Sequence, residues 1–151
     1  MPRKPRRKGG SLKDGERRQI AYAARRAAAP PPQPPAPTDT AIVLCDGGSR
    51  GNPGPSAIAA VLVGADGDEL ARAVEAIGRA TAATAEYRAI LLGLELAGAH
   101  DADPIEVCSD SQLAIAARGP DARFTELRWT WLPRAENEIA DALVRAELWG
   151  S

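Results

Sequence analysis

Residues 41–55, AIVLCDGGSRGNPGP, decide how this chain is read. Ala41, Ile42, Val43, Leu44 and Cys45 are apolar without a break, the pattern of a strand covered on both faces. Asp46 ends that run, so the strand is expected to span about residues 40–46. The tail, Gly47-Gly48-Ser49-Arg50-Gly51-Asn52-Pro53-Gly54-Pro55, reads as a turn, because glycines permit positive φ and prolines remove donors. A carboxylate at the end of a central strand is costly unless it is paired or binds a cation. That makes Asp46 the first candidate functional residue.

The pattern continues outward as a meander. A second apolar run predicts a strand over about 56–64, and Ala65-Asp66-Gly67-Asp68 is a hairpin signal. A third strand follows over about 69–77. From Thr84 to about Ala99 the apolar spacing turns helical, with Thr81 or Thr84 as cap and Glu86 in the first turn. Residues 104–109 form a fourth strand, which delivers Asp110 at its end as the first strand delivers Asp46. Asp110 can also be read simply as the N-cap of a short helix over about 111–117. A fifth strand over 123–132 puts Leu127, Trp129 and Trp131 on one face, opposite Phe124, Glu126, Arg128 and Thr130. Core packing is the expected use of those tryptophans. The last helix, about 135–149, carries Ile139, Leu143 and Leu148 toward the core, with Asp141 at neither a cap nor an obvious pair.

Four blocks resemble type 1 ribonuclease H, in that family's order. They are Asp46 to Pro55; Thr84-Ala85-Glu86-Tyr87-Arg88-Ala89; Ser109-Asp110-Ser111-Gln112-Leu113; and Trp131-Leu132-Pro133-Arg134 with Asn137 and Ala140-Asp141-Ala142-Leu143. One block alone would be weak, since glycine-rich turns are common. Together they cover roughly residues 40–149. The resemblance implies an α/β ribonuclease H-like fold. Its mixed five-stranded sheet has strands 1–3 antiparallel and strands 4 and 5 parallel, flanked by helices and shortened between strands 4 and 5. It implies endonucleolytic hydrolysis of the RNA strand of RNA–DNA hybrids. Asp46, Glu86 and Asp110 are the core metal ligands and catalytic residues by that resemblance, with Asp141 the fourth. Four gathered carboxylates repel unless cations neutralise them, and hard oxygen donors suit Mg²⁺, with Mn²⁺ as a substitute. Gly47, Asn52 and Gln112 match substrate contacts to 2′-hydroxyls. Arg134 stands as a phosphate-facing cation in place of the loop histidine of some relatives.

Two departures bear on substrate. Ala82 and Ala83 stand where many relatives carry an asparagine pair, and the family's basic protrusion between Gln112 and Trp129 is absent. Alternatives are therefore a catalytically weak nucleic-acid-binding domain, or a nuclease with another nucleic-acid substrate.

Charge divides the chain. Residues 1–40 carry +7 and residues 41–151 carry −8 within a net charge of −1. Residues 1–38 read as a basic, proline-rich tail with one marginal helix over 15–28, and residues 39–151 as the ribonuclease H-like domain. The tail is read either as a tethered polycation for phosphate backbones or as a solubilising leader. No apolar run is long enough to span a bilayer and no secretory signal is visible. Cys45 and Cys108 are expected as buried reduced thiols in a cytoplasmic monomer. His100, the single histidine, lies beside Asp101 and reads as surface.

Overall fold

The computed structural model describes residues 36–116, 119 and 121–150. Residues 1–35 of the basic tail, with the helix expected over 15–28, lie outside the described residues, as does part of the shortened connection at 117, 118 and 120. The elements are β1 (Ala41–Ser49), β2 (Gly54–Val63), β3 (Glu69–Ala80), α1 (Ala82–Ala99), β4 (Ile105–Ser109), α2 (Gln112–Ala116), β5 (Leu127–Trp131), a single 3₁₀ turn (Arg134–Glu136) and α3 (Glu138–Trp149). They build a five-stranded sheet in the order β3-β2-β1-β4-β5. β1 pairs antiparallel with β2 and β2 with β3, while β4 runs parallel to both β1 and β5. No helix among the described residues is long and apolar enough to cross a membrane.

The unbroken apolar runs have a direct cause in the layering. β2 sends Ile58, Ala60 and Leu62 to a core with Val43, Cys45, Ala85, Ala89, Leu92, Ile105 and Val107, beneath α1. The alternate residues Ala57 and Ala59 meet Val144 and Leu148 of α3 on the opposite face. With helices on both faces, strand positions of either parity are buried. The small residues allow close contact: a Cβ on Gly93 of α1 would lie 2.6 Å from Cys45 Sγ and 2.7 Å from Val43 Cγ1. Leu127, Trp129 and Trp131 pack against this larger core, as expected, and both cysteines are free and buried.

Several expectations are corrected. β1 does not stop at Asp46. Gly47, Gly48 and Ser49 continue it, in register with Ile58, Ala57 and Ser56. What ends near Asp46 is the parallel ladder, whose last pair is Cys45 with Ser109. The strand continues because β2 alone satisfies its backbone there. Ile139 is 50% exposed rather than buried; Ala140, Val144 and Leu148 form the inner face of α3, with Leu143 partly buried. The shift follows from the helix starting at Glu138, after the 3₁₀ turn, rather than at 135. Phe124 lies ahead of β5, not within it, and packs against the larger core instead of facing away from it. α1 begins at Ala82, capped by the Thr81 hydroxyl, so Glu86 falls in its second turn. Helix-dipole compensation, which acts within the first turn, therefore does not account for Glu86.

Candidate active site

Asp46 and Asp110 each stand one residue beyond the last Cys45–Ser109 pair of the two central parallel strands. In-register neighbours on parallel strands share a face, so the two carboxylates emerge side by side where the ladder opens. Asp46 is 3% exposed. Asp110 is not the helix cap. The Ser111 hydroxyl accepts the Ala114 N–H at 3.1 Å and caps α2, so the Asp110 carboxylate is not used there. Trp131 of β5 fixes the backbone here by donating its indole N–H to the Asp110 carbonyl at 3.1 Å.

Glu86 reaches this point because β1 carries no side chain where α1 crosses it. A Cβ on Gly47 would lie 2.4 Å from the Ala85 carbonyl carbon and oxygen and 2.6 Å from the Glu86 nitrogen. Gly47, read from sequence as a substrate contact, thus sits at the helix–strand crossing that sets the place of Glu86. Gly47→Ala is expected to push α1 off β1, costing about 2–3 kcal/mol by overpacking and lowering cleavage beyond what the stability loss explains. Urea unfolding together with kcat measured on the folded fraction checks this.

Asp141 arrives on α3 from the opposite face. Gly48, two residues on from Asp46, faces α3 closely enough that a Cβ would meet Val144 Cγ1 at 3.1 Å. Asp141 lies one turn ahead of Val144. It has an ion-pair partner after all, since Arg145 Nε lies 3.1 Å from its Oδ2, an i,i+4 contact of the ordinary helical kind. Arg134, from the 3₁₀ turn, donates through Nε to Asp110 Oδ2 at 3.4 Å.

Burial, together with the charges of Asp110, Asp141 and Glu86 and against that of Arg134, pushes the Asp46 carboxyl up to about 8, so all three other acids act on it. Asp46 Oδ1 and Asp110 Oδ1 are buried without a hydrogen-bond partner. Among the described residues no three acidic, histidine or cysteine side chains form a ready-made ion cage. Asp110 and Asp141 are instead turned to arginines. The donor set is nonetheless all oxygen, and two of its buried oxygens lack partners. Those residues fit a hard divalent cation.

The remaining sequence candidates surround this cluster unequally. Asn52 spends its Oδ1 on the Ala82 N–H at 3.0 Å, tying the glycine-rich turn to the start of α1. Gln112 opens α2 at the surface, directly after Asp110 and Ser111. Arg50 anchors the turn to the end of α3, donating to the Leu148 carbonyl at 3.3 Å and lying over the Trp149 ring at 6.0 Å. His100 is the exposed C-cap residue of α1. Sequence reasoning did not single out Asn137 as a site residue. It is fully buried, and its Nδ2 donates to the Cys45 carbonyl at 2.8 Å. Its signals were its place in the last of the four family-like blocks and a helix-capping residue type just ahead of Asp141.

A five-stranded sheet in the order β3-β2-β1-β4-β5, with β1–β3 antiparallel, β4 and β5 parallel and helices on both faces, is the fold of a ribonuclease H-like protein. Residues 44–118 match the family model described as reverse transcriptase-like. Ribonuclease HI of Halobacterium salinarum is 43% identical in an alignment 122 positions long that covers 68% of this chain and 61% of that protein. A bifunctional protein of Mycobacterium tuberculosis is 37% identical over 122 residues, and the chain spans 34% of its length. Among solved structures, the N-terminal RNase H domain of that mycobacterial protein superposes with a TM-score of 0.65 at 35% identity, covering 71% of this chain and 91% of that one. RNase H1 of H. salinarum gives 0.64 at 37% identity, over 71% of this chain and 96% of that one. LC11-RNase H1, in complex with an RNA/DNA hybrid, gives 0.63 at 28% identity, over 72% and 96%. The chain belongs to the type 1 ribonuclease H family.

Proposed function

We propose that this chain is a divalent-metal-dependent endonuclease that hydrolyses the RNA strand of RNA–DNA hybrids, with Asp46, Glu86, Asp110 and Asp141 as its metal-holding and catalytic residues. The observation that carries the proposal is the convergence of these carboxylates on a buried Asp46 whose carboxyl is pushed up to about 8 by its surroundings. Such an arrangement is unfavourable as a structural device and suits a site built for cations. Mg²⁺ or Mn²⁺, when bound, supplies Lewis-acid polarisation of the scissile phosphate and an acidified water.

The chain's own groups do the rest. Asp46 and Asp110 present adjacent carboxylates from rigid strands. Glu86 and Asp141 enter from helices packed on opposite faces, so the cluster is positioned by the sheet rather than by loops. The turn at Asn52, the start of α1 and the start of α2 flank the cluster, and we assign them to the minor groove of the hybrid. A guanidinium at Arg134 suits the phosphate next to the scissile one. The acidic domain gains little from long-range attraction to nucleic acid, and we assign to residues 1–38 the role of holding phosphate backbones near the site. Two free, buried thiols suit a cytoplasmic protein.

The test is cleavage of an end-labelled RNA–DNA hybrid with Mg²⁺, beside single-stranded RNA, duplex RNA and duplex DNA. Wild type, Asp110→Asn and a form lacking residues 1–38 are compared at two salt concentrations. Cutting confined to the hybrid's RNA strand and lost in Asp110→Asn is the expected result. The truncated form should keep its kcat and lose affinity and salt dependence. A folded wild type that cuts nothing with either metal would replace this reading with that of a binding domain. Cutting of another substrate would reassign the specificity, with Ala82 and Ala83 the first residues to examine.

A further inference from the structure

Arg134 and Arg145 each hold one carboxylate of the cluster, in different ways. Arg145 sits four residues from Asp141 on the same helix and makes a surface pair that any helix could make. Arg134 comes from a separate element and reaches Asp110 across 24 residues of sequence. The two ends of that contact differ in burial. The Asp110 side chain is 5% exposed, whereas that of Arg134 is 71% exposed. A fixed, buried anion is thus covered by the tip of a long side chain that lies mostly in water. Such a contact holds weakly and lets go easily.

The guanidinium also feels more than Asp110. The negative charges of Asp141 and Asp46 act on it as well as that of Asp110. A dication gripped by Asp110 would face this guanidinium at short range, and like charges in a partly buried site cannot share one carboxylate cheaply. The flexible, solvent-exposed partner is the one that moves.

We propose that Arg134 is a place-holding counter-ion: its guanidinium covers Asp110 until a divalent cation takes that carboxylate, and then swings out to the phosphate of bound nucleic acid. The proposal rests on the metal-dependent reading of the site given above. It makes the arginine do two jobs in sequence. Metal entry frees a phosphate-binding group, and a phosphate that captures the arginine uncovers a metal ligand. Metal and nucleic acid then assist each other's binding by the same factor, as linkage requires.

The test needs no turnover. Mg²⁺ is titrated calorimetrically into the full chain without nucleic acid, for wild type, Arg134→Ala, Arg134→Lys and Asp46→Asn, with melting temperature followed in parallel. Arg134→Ala is expected to bind Mg²⁺ about fivefold more tightly, the factor set by loss of one weak competing ion pair. It should also show a larger Mg²⁺-induced rise in melting temperature than wild type. Arg134→Lys should fall between them, and Asp46→Asn should respond little. Unchanged or weaker Mg²⁺ binding by Arg134→Ala, beside a wild type that binds, would overturn the place-holder alone. No response from wild type with Mg²⁺ or Mn²⁺ would overturn the metal-dependent reading itself, and the place-holder with it.

Discussion

Replacing Asp46 by asparagine is expected to abolish cleavage and, in the absence of metal, to make the protein more stable at pH 8. The two effects share one cause. Asp46 is buried beside Asp110, Asp141 and Glu86, and its carboxyl is pushed from 3.8 up to about 8. Between those values the native protein keeps a proton that the unfolded chain has released. Stability therefore falls as pH rises through that window, and the destabilisation is complete above pH 8. Asparagine keeps the size and one oxygen but cannot ionise, so it removes the pH dependence along with the charge. The expected gain at pH 8 is on the order of a few kcal/mol and shrinks toward nothing near pH 4. Saturating Mg²⁺ should narrow the gap, because ligand binding stabilises the wild type and not the variant. Activity should fall about a thousandfold or more, since a central member of a catalytic set is lost. Thermal melts from pH 4 to 9, with and without Mg²⁺, read the first effect and hybrid cleavage the second. A variant that is less stable than wild type at every pH would show that the carboxylate is not the strained group described here.

The site was legible in sequence where chemistry and secondary structure coincide. Asp46 and Asp110 each follow an apolar run, and the structure places them one residue beyond the last pair of one parallel ladder. The senses of the strands followed from the meander and the family blocks, whereas their order came from the structure. What stayed hidden depends on partners far along the chain. Gly47 to Ser49 looked like turn residues because glycine carries no strand preference of its own; the strand persists there because β2 supplies its hydrogen bonds. The inner face of α3 was misread because its register depends on where the preceding 3₁₀ turn ends, and Ile139 was a stronger hydrophobic signal than Ala140. The Arg134–Asp110 and Arg145–Asp141 contacts require geometry, since pairing of charges is not specified by residue type alone. Ser111 rather than Asp110 proved to be the cap of α2, a choice between two good capping residues that local sequence leaves open.

Asn137 carries the second large expectation. It stands between α3 and the sheet with no exposure to solvent. Its side-chain N–H donates to the Cys45 carbonyl at 2.8 Å, immediately before Asp46, and its own carbonyl accepts the Asp141 N–H at 3.1 Å. One residue thus connects the strand that presents Asp46 to the helix turn that presents Asp141. Its Oδ1 is buried without a partner, so the side chain is not an optimal choice for stability alone. We therefore take its role to be spacing. Asn137→Ala strands the Cys45 carbonyl and leaves a small void, for an expected loss of roughly 2–4 kcal/mol. Asn137→Asp should be at least as damaging, because an ionised carboxylate cannot donate and adds another negative charge near the cluster. If spacing is the role, the folded fraction of Asn137→Ala should also lose about tenfold or more in kcat, with KM little changed, since the surfaces at Asn52 and Gln112 that we assign to the hybrid are untouched. Urea unfolding combined with steady-state cleavage at saturating Mg²⁺ separates the two losses. A variant that is destabilised yet turns over at the wild-type kcat would make Asn137 a packing residue only, and would mean that the packing of Val144 and Leu148 against β2 suffices to hold Asp141 in place.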